Sequence, residues 1–386
     1  MYIFVQNIMR MRSKLIRFII LVIVILTTAC DKGELPDIEK SHSITIIYLE
    51  ANNNLRAEAL KALNDLEIGI GKDMKSVGTV LAYIKNTDKI GYLLNIQPDN
   101  DPYSINSDTI KIFESTSKSD GGQMKRVLSF IKESYKAEDY NLILWSHGTS
   151  WTPARNPSPS IGALSFGEDR GQNIDLLEIK DALPMKFNYI IFDACAMASI
   201  EVLYELRHKA KYIIASPTDV LSEGFPYQNI VEFFGRATKQ NVIQLATKYF
   251  EYYDQRSGLL RSAAISVTDL SKLEELSSCL DSINQKQNHL FKTAGIQRLD
   301  FTQGFPVQLY DFKDFIDHTY SDKDKLRIDE ILKKTLIYRN HTPEFLGNRI
   351  DAFSGMTISL LKRSDVFFPY YSGLEWSKKT NIDLVK

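Results

Sequence analysis

The chain has 386 residues, 44% of them hydrophobic, which is ample to bury the core of one large or two ordinary globular domains. Its 47 Lys and Arg balance 48 Asp and Glu, and the formal net charge of -1 supplies no whole-molecule field for a polyanion, so nucleic acid is not an expected partner. Three cysteines with no CxxC or Cys/His cluster argue against a disulfide framework and against a zinc site, and no metal ligand set is expected.

At the N-terminus Arg10, Arg12, Lys14 and Arg17 precede the apolar run Phe18 to Leu26, followed by Thr27-Thr28-Ala29-Cys30. Basic, apolar and small residues in that order read as an export signal, and the apolar run is shorter than the ~20 residues of a membrane-spanning helix. Cys30 directly after small residues resembles the lipobox of bacterial lipoproteins, with Thr27 where Leu is usual; Cys30 would then be lipidated and become the first mature residue. An ordinary signal peptide cut near Ala29 is the alternative, and Met9 and Met11 offer later starts. The expected division is a signal peptide over 1–29, a polar tether over 30–42 containing Pro36, a folded core over 43–270 and a C-terminal extension over 271–386. Such a protein is exported and lipid-anchored to the bacterial cell envelope, in the periplasm or on the surface.

The β-branched run Ser43 to Leu49 predicts a buried strand, and Leu55 to Leu66 has apolar residues at helical spacing. Val77 to Ile84 and Tyr92 to Ile96 read as strands, and Gln123 to Tyr135 as an amphipathic helix. Tyr140 to Trp145, Phe187 to Phe192 and Lys211 to Ala215 are short and almost continuously apolar, the pattern of parallel strands covered on both faces. Ala263 to Val267 adds a strand and Leu270 to Ile283 a helix. Asn100 to Asp120 and the Pro/Gly-rich Thr149 to Gly171 read as long loops, which in a compact domain are usually functional or mobile. The expected fold is an α/β sandwich with a mainly parallel sheet.

In open parallel sheets chemistry collects outside the carboxyl ends of the strands. One such end runs into Ser146-His147-Gly148, another into Asp193-Ala194-Cys195 followed by a helix-like stretch from Ala196. A cysteine at a helix start beside an imidazole would be favoured as thiolate, making a nucleophile and its base. By spacing alone an inert structural cysteine remains open for Cys195, as does a helix-capping role for Asp193. Cys279 falls in a helical leucine pattern and reads as core.

These strand ends resemble those of the clostripain family of cysteine peptidases, within the caspase-like clan, over most of the mature chain. Ala51-Asn52-Asn53-Asn54-Leu55 is similar to the family's ADNNL turn, with Asn52 for aspartate. Leu144-Trp145-Ser146-His147-Gly148-Thr149-Ser150-Trp151 is similar to LWSHGxGW, with Ser150 where Gly is usual. Phe192 to Ser199 lies close to FDACLMAS, and Ala215-Ser216 through Gly224-Phe225-Pro226-Tyr227 follows AS…GWPY. The resemblance implies a caspase-like three-layer sandwich in which Cys195 is nucleophile and His147 general base, with no third member required. It further implies an oxyanion hole from the Gly148 and Cys195 N–H groups and cleavage after Arg or Lys, recognised by Asp193. Glu223 is a second candidate pocket acid from its place in the loop before Gly224, and Arg155 a candidate self-cleavage site. No cofactor is expected; family members can depend on calcium, for which no EF-hand spacing is present here. The substrate would be a peptide or protein. The rival readings are a non-catalytic surface binding lipoprotein on the same scaffold and a cysteine peptidase with non-basic specificity.

Overall fold

The computed structural model describes residues 41–71, 77–115, 120–154, 165–286, 291, 293–302, 305–380 and 382. Cys30, the signal peptide, almost all of the tether and Arg155 lie outside the described residues. The fold is a caspase-like α/β sandwich around a nine-stranded sheet.

The first strand, β1 (Ser43–Glu50), is buried along its whole length, and its apolar and β-branched run from Ile44 to Leu49 fits a strand covered on both faces. It leads through the asparagine turn into helix α1 (Arg56–Ile70), then to β2 (Thr79–Lys85), β3 (Ile90–Asn95) and β4 (Asp108–Glu114). Helix α2 (Gly121–Ser134) starts where the Asp120 carboxylate accepts the Gln123 N–H at 2.6 Å, and β5 (Asp139–Trp145) follows. A small hairpin, β6 (Phe166–Asp169) and β7 (Gln172–Ile174), precedes helix α3 (Leu176–Ala182), which opens with an Asp175/Glu178 capping box. Then come β8 (Phe187–Asp193), α4 (Ile200–Glu205), β9 (Ala210–Ala215), α5 (Lys239–Asp254), β10 (Ala264–Asp269) and α6 (Leu273–Asn284). The C-terminal part adds β11 (Tyr310–Asp311), α7 (Phe312–Thr319), α8 (Asp322–Thr335), β12 (Leu336–His341) and α9 (Glu375–Thr380).

The sheet order is β12-β10-β9-β8-β5-β1-β2-β3-β4. The strands from β9 to β2 run parallel, and antiparallel strands close both edges. Alternate residues of the central strands, such as Ile47, Leu49, Ile143 and Ile191, pack with Leu63 and Leu66 of α1 and with Val242, Leu245 and Tyr249 of α5. The opposite residues face the other helix layer: Tyr48 stacks on Tyr83, whose hydroxyl accepts from Gln123 of α2 at 3.1 Å. There α2 packs on α3, α3 on α4, and α4 on α9.

Three sequence expectations need correction. The stretch read as a loop from Asn100 to Asp120 contains edge strand β4, and the one from Thr149 to Gly171 contains β6. The segment after 271 does more than pack on the core, because β12 pairs with β10 and completes the sheet. Among the described residues, no helix is long and apolar enough to cross a membrane.

Candidate active site

Strands β5 and β8 are parallel neighbours, with Trp145 paired to Asp193. Just beyond that pair the two chains deliver Ser146-His147-Gly148 and Ala194-Cys195 at the same carboxyl edge, so His147 and Cys195 line one cavity of about 700 Å³. An added Cβ at Gly148 would stand 2.7 Å from the Cys195 carbonyl oxygen and 3.1 Å from its nitrogen. Glycine is therefore needed there to let the two strand ends touch. The backbone bonds of Thr149 N–H to Ser165 O and Gly167 N–H to His147 O bypass the Gly148 N–H, and those of Ser146 and Ala196 bypass the Cys195 N–H.

Cys195 does not open a helix. Ala196 takes a left-handed φ of 59°, its N–H bonds Thr218 O at 2.8 Å, and α4 begins only at Ile200 with Ser199 as its cap. The helix-dipole argument for the cysteine and the capping alternative for Asp193 are both corrected by this intervening turn. The sulfur accepts the Val220 N–H at 3.2 Å and lies 3.7 Å from Val220 O. Burial pushes the thiol up to about 12; the carboxylates of Asp219 and Asp193 add to the rise and the Val220 N–H opposes it. His147 moves the other way, since burial disfavours its cation while Glu168 partly restores it. Burial thus works against the charged form of both thiol and imidazole, and among the described residues no hydrogen bond joins them.

The histidine has partners that the sequence did not single out. Its Nε2 lies 2.7 Å from Asn54 Oδ1 and 3.7 Å from Glu168 Oε2. Asn54 sits in the turn that the ADNNL resemblance marked, so its place in a motif was visible but its target was not. Asp219, in the loop after β9, was missed as well: it lines the cavity and accepts a hydrogen bond from the Thr302 hydroxyl. Burial raises its carboxyl, opposed by Thr302 and by Cys195. Thr302, Phe305, Pro306 and Leu346 bring the C-terminal part into the cavity wall.

Asp193 is buried on that wall, with Oδ2 accepting the Phe225 N–H at 3.0 Å and the Tyr227 hydroxyl at 2.9 Å. Burial raises its carboxyl to about 6, against the pull of those two donors. Gly224 must be glycine beside it: φ is 66°, and a Cβ would stand 2.6 Å from Asp193 Oδ2. Glu223 is turned elsewhere. Both its oxygens meet the Arg256 guanidinium at 2.7 Å and Tyr252 donates at 2.9 Å, which holds the carboxyl down at about 2. The expectation of Glu223 as a second pocket acid is corrected, because a bidentate arginine already satisfies it outside the cavity. Among the described residues no cluster of His, Cys, Asp and Glu could hold a metal ion.

A parallel sheet with histidine-glycine and aspartate-alanine-cysteine at adjacent strand ends defines a caspase-like fold with a cysteine and a histidine at its functional edge. The model of the clostripain family matches residues 47–367, and the chain belongs to that family. It is 25% identical to the clostripain of Hathewaya histolytica over 223 residues, covering 50% of this chain and 42% of that protein, so it spans less than half of its curated relative. A secreted C11 cysteine protease from Bacteroides thetaiotaomicron, solved with an irreversible peptide inhibitor, superposes with a TM-score of 0.76 at 23% identity, over 89% of this chain and 99% of that one. An inactive zymogen C11 protease from Parabacteroides distasonis superposes with a TM-score of 0.72 at 25% identity and the same coverage.

Proposed function

We propose that the chain is an exported cysteine endopeptidase that cleaves peptide bonds after Arg or Lys through a Cys195–His147 dyad. His147 takes the thiol proton as the sulfur attacks the scissile carbonyl carbon, and the N–H groups of Gly148 and Cys195 receive the developing oxyanion. Collapse breaks the C–N bond, His147 returns the proton to the leaving amine, and water hydrolyses the thioester. A thiol whose burial disfavours its charged form fits a base-assisted attack, and the Val220 N–H on the sulfur favours the thiolate as it develops. Cleavage after Arg155 is the self-processing step we assign to that activation.

Asp193 carries the specificity reading. It is a buried carboxylate in the wall of the cavity holding His147 and Cys195, and among the described residues no Lys or Arg is paired with it. A guanidinium entering the cavity supplies the missing cation. Export and lipidation rest on the N-terminal pattern ending in Cys30, and mass spectrometry of the mature protein tests them: an unmodified or unprocessed N-terminus overturns the anchor.

Cys195→Ala and His147→Ala should each abolish turnover, with the double variant no worse than either. Full activity in either single variant removes the dyad. For an Arg substrate kcat/KM should rise with pH through about 6 as Asp193 ionises. A neutral-P1 substrate reports the same His147 and Cys195 without that step, so the ratio of the two profiles isolates Asp193. Asp193→Asn should flatten the ratio and remove the Arg preference; a preference that persists moves recognition elsewhere.

A further inference from the structure

We infer that Asn54 is a positioning residue for His147, fixing the imidazole with its proton on Nε2 so that Nδ1 is the atom that accepts the thiol proton. The inference rests on the dyad reading and adds a member to it. An amide oxygen can only accept, so the 2.7 Å contact of Asn54 Oδ1 with Nε2 requires the hydrogen on Nε2. A neutral imidazole carries one proton, and Nδ1 then bears the free lone pair.

Asn54 is exposed, and an exposed asparagine is ordinarily free to turn; here its backbone is clamped. Asn53 Oδ1 accepts the Leu55 N–H at 2.9 Å, while its Nδ2 donates to Glu50 O at 3.1 Å and to Glu168 O at 2.8 Å. Asn52 Nδ2 donates to Asp169 Oδ1 at 2.5 Å, and the other oxygen of Asp169 forms a buried ion pair with Lys85 at 2.6 Å. Ser146, one residue before the histidine, donates to Glu50 O at 2.8 Å. The turn after β1, the β6–β7 hairpin and the end of β5 are thereby tied into one rigid corner. That corner presents Asn54 and Glu168 to the same nitrogen. Asn54 fixes the tautomer, and Glu168 at 3.7 Å gains attraction when the imidazolium forms. The other titratable groups facing the imidazole across the cavity are Asp193 at the end of β8, Cys195 just beyond it and Asp219 after β9.

Asn54→Ala, Asn54→Asp and wild type should be compared in kcat, KM and the pH profile of kcat/KM, beside His147→Ala. Asn54→Ala should lower kcat by roughly tenfold or more at unchanged KM, because the base loses its orientation and not its binding site. Its acid limb should shift to lower pH, since the imidazolium loses an acceptor. Asn54→Asp keeps the acceptor and adds charge, so it should recover most of kcat with the acid limb shifted to higher pH. A wild-type kcat and limb in Asn54→Ala, with His147→Ala inactive, overturns the inference and leaves the dyad standing. An active His147→Ala overturns the dyad itself.

Discussion

Ser150 stands where the family usually has glycine, and its φ of 62° is the reason for that preference. A left-handed L-residue costs about 1–2 kcal/mol, which serine partly recovers by donating to Ser199 Oγ at 2.7 Å, the same oxygen that caps α4. Ser150→Gly should therefore stay within about 1 kcal/mol of wild type in denaturant unfolding, since relief of strain offsets a lost hydrogen bond and a freer unfolded chain. Ser150→Val keeps the strain, adds a branched Cβ in a fully buried site and loses the bond, so a cost of more than about 2 kcal/mol is expected. Equal stabilities for the two variants would refute this account. Asn52 is explained in the same way: its amide donates to Asp88 at 2.9 Å and Asp169 at 2.5 Å, where an aspartate would have placed a third carboxylate. Both departures were legible as departures, but a φ angle and a pair of distant carboxylates are tertiary facts that a motif does not display.

Helix α4 joins the core to the C-terminal part through Glu201, which is fully buried and accepts the Ser359 N–H at 2.8 Å. Burial raises this carboxyl from 4.5 to about 8, with the hydrogen bonds opposing the rise. The folded state thus holds the proton to higher pH than the unfolded chain. The stability tied to it is complete below about 4.5, erodes as pH rises and is lost through about 8. Glu201→Gln carries no such proton, so the difference in unfolding free energy between variant and wild type should widen in the variant's favour from about pH 5 to pH 9. A constant difference would mean that Glu201 is already ionised in the fold. Elements buried on both faces, such as β1, β5 and β8, were readable because each carries a continuous apolar run, Ile46 to Leu49, Leu142 to Trp145 and Tyr189 to Phe192. Strand β4 was not: DTIKIFE is mostly exposed and alternates like a polar surface, and only its pairing with β3 makes it a strand. Strand β12 has the same difficulty, and β6 and β7 are only four and three residues long.

At the scale of the whole molecule, residues after 271 complete both the sheet, through β12, and the cavity wall, through Thr302, Phe305, Pro306 and Leu346. The two reactive strand ends were legible because their residues are local in sequence; the far wall comes from chain more than a hundred residues later, so periodicity could not disclose it. The same topology governs what a cut after Arg155 would do. Cleavage there puts His147 on one polypeptide and Cys195 on the other, so activity requires that the pieces stay together. The seam between them is the parallel β5–β8 ladder, Leu142 with Ile190 through Trp145 with Asp193, at the centre of the sheet and buried on both faces. Trp151, on the N-terminal piece, packs on Tyr371 and donates to Ser359 Oγ at 2.7 Å on the other. The flanks of the cut are held independently, by Thr149 N–H to Ser165 O at 2.8 Å and Ala154 N–H to the Asp175 carboxylate at 3.3 Å. Processed protein should therefore run as two bands on a denaturing gel, one beginning at Asn156, yet elute as a single species at the mass of the intact chain on native size exclusion. Its Tm should fall by no more than a few degrees, because no ladder or core contact is broken. Cys195→Ala should stay a single band, and adding wild type should restore the cut only if processing passes between molecules. Fragments that separate without denaturant would show that the described seam does not hold the halves, and wild type that remains one band while fully active would remove Arg155 from activation.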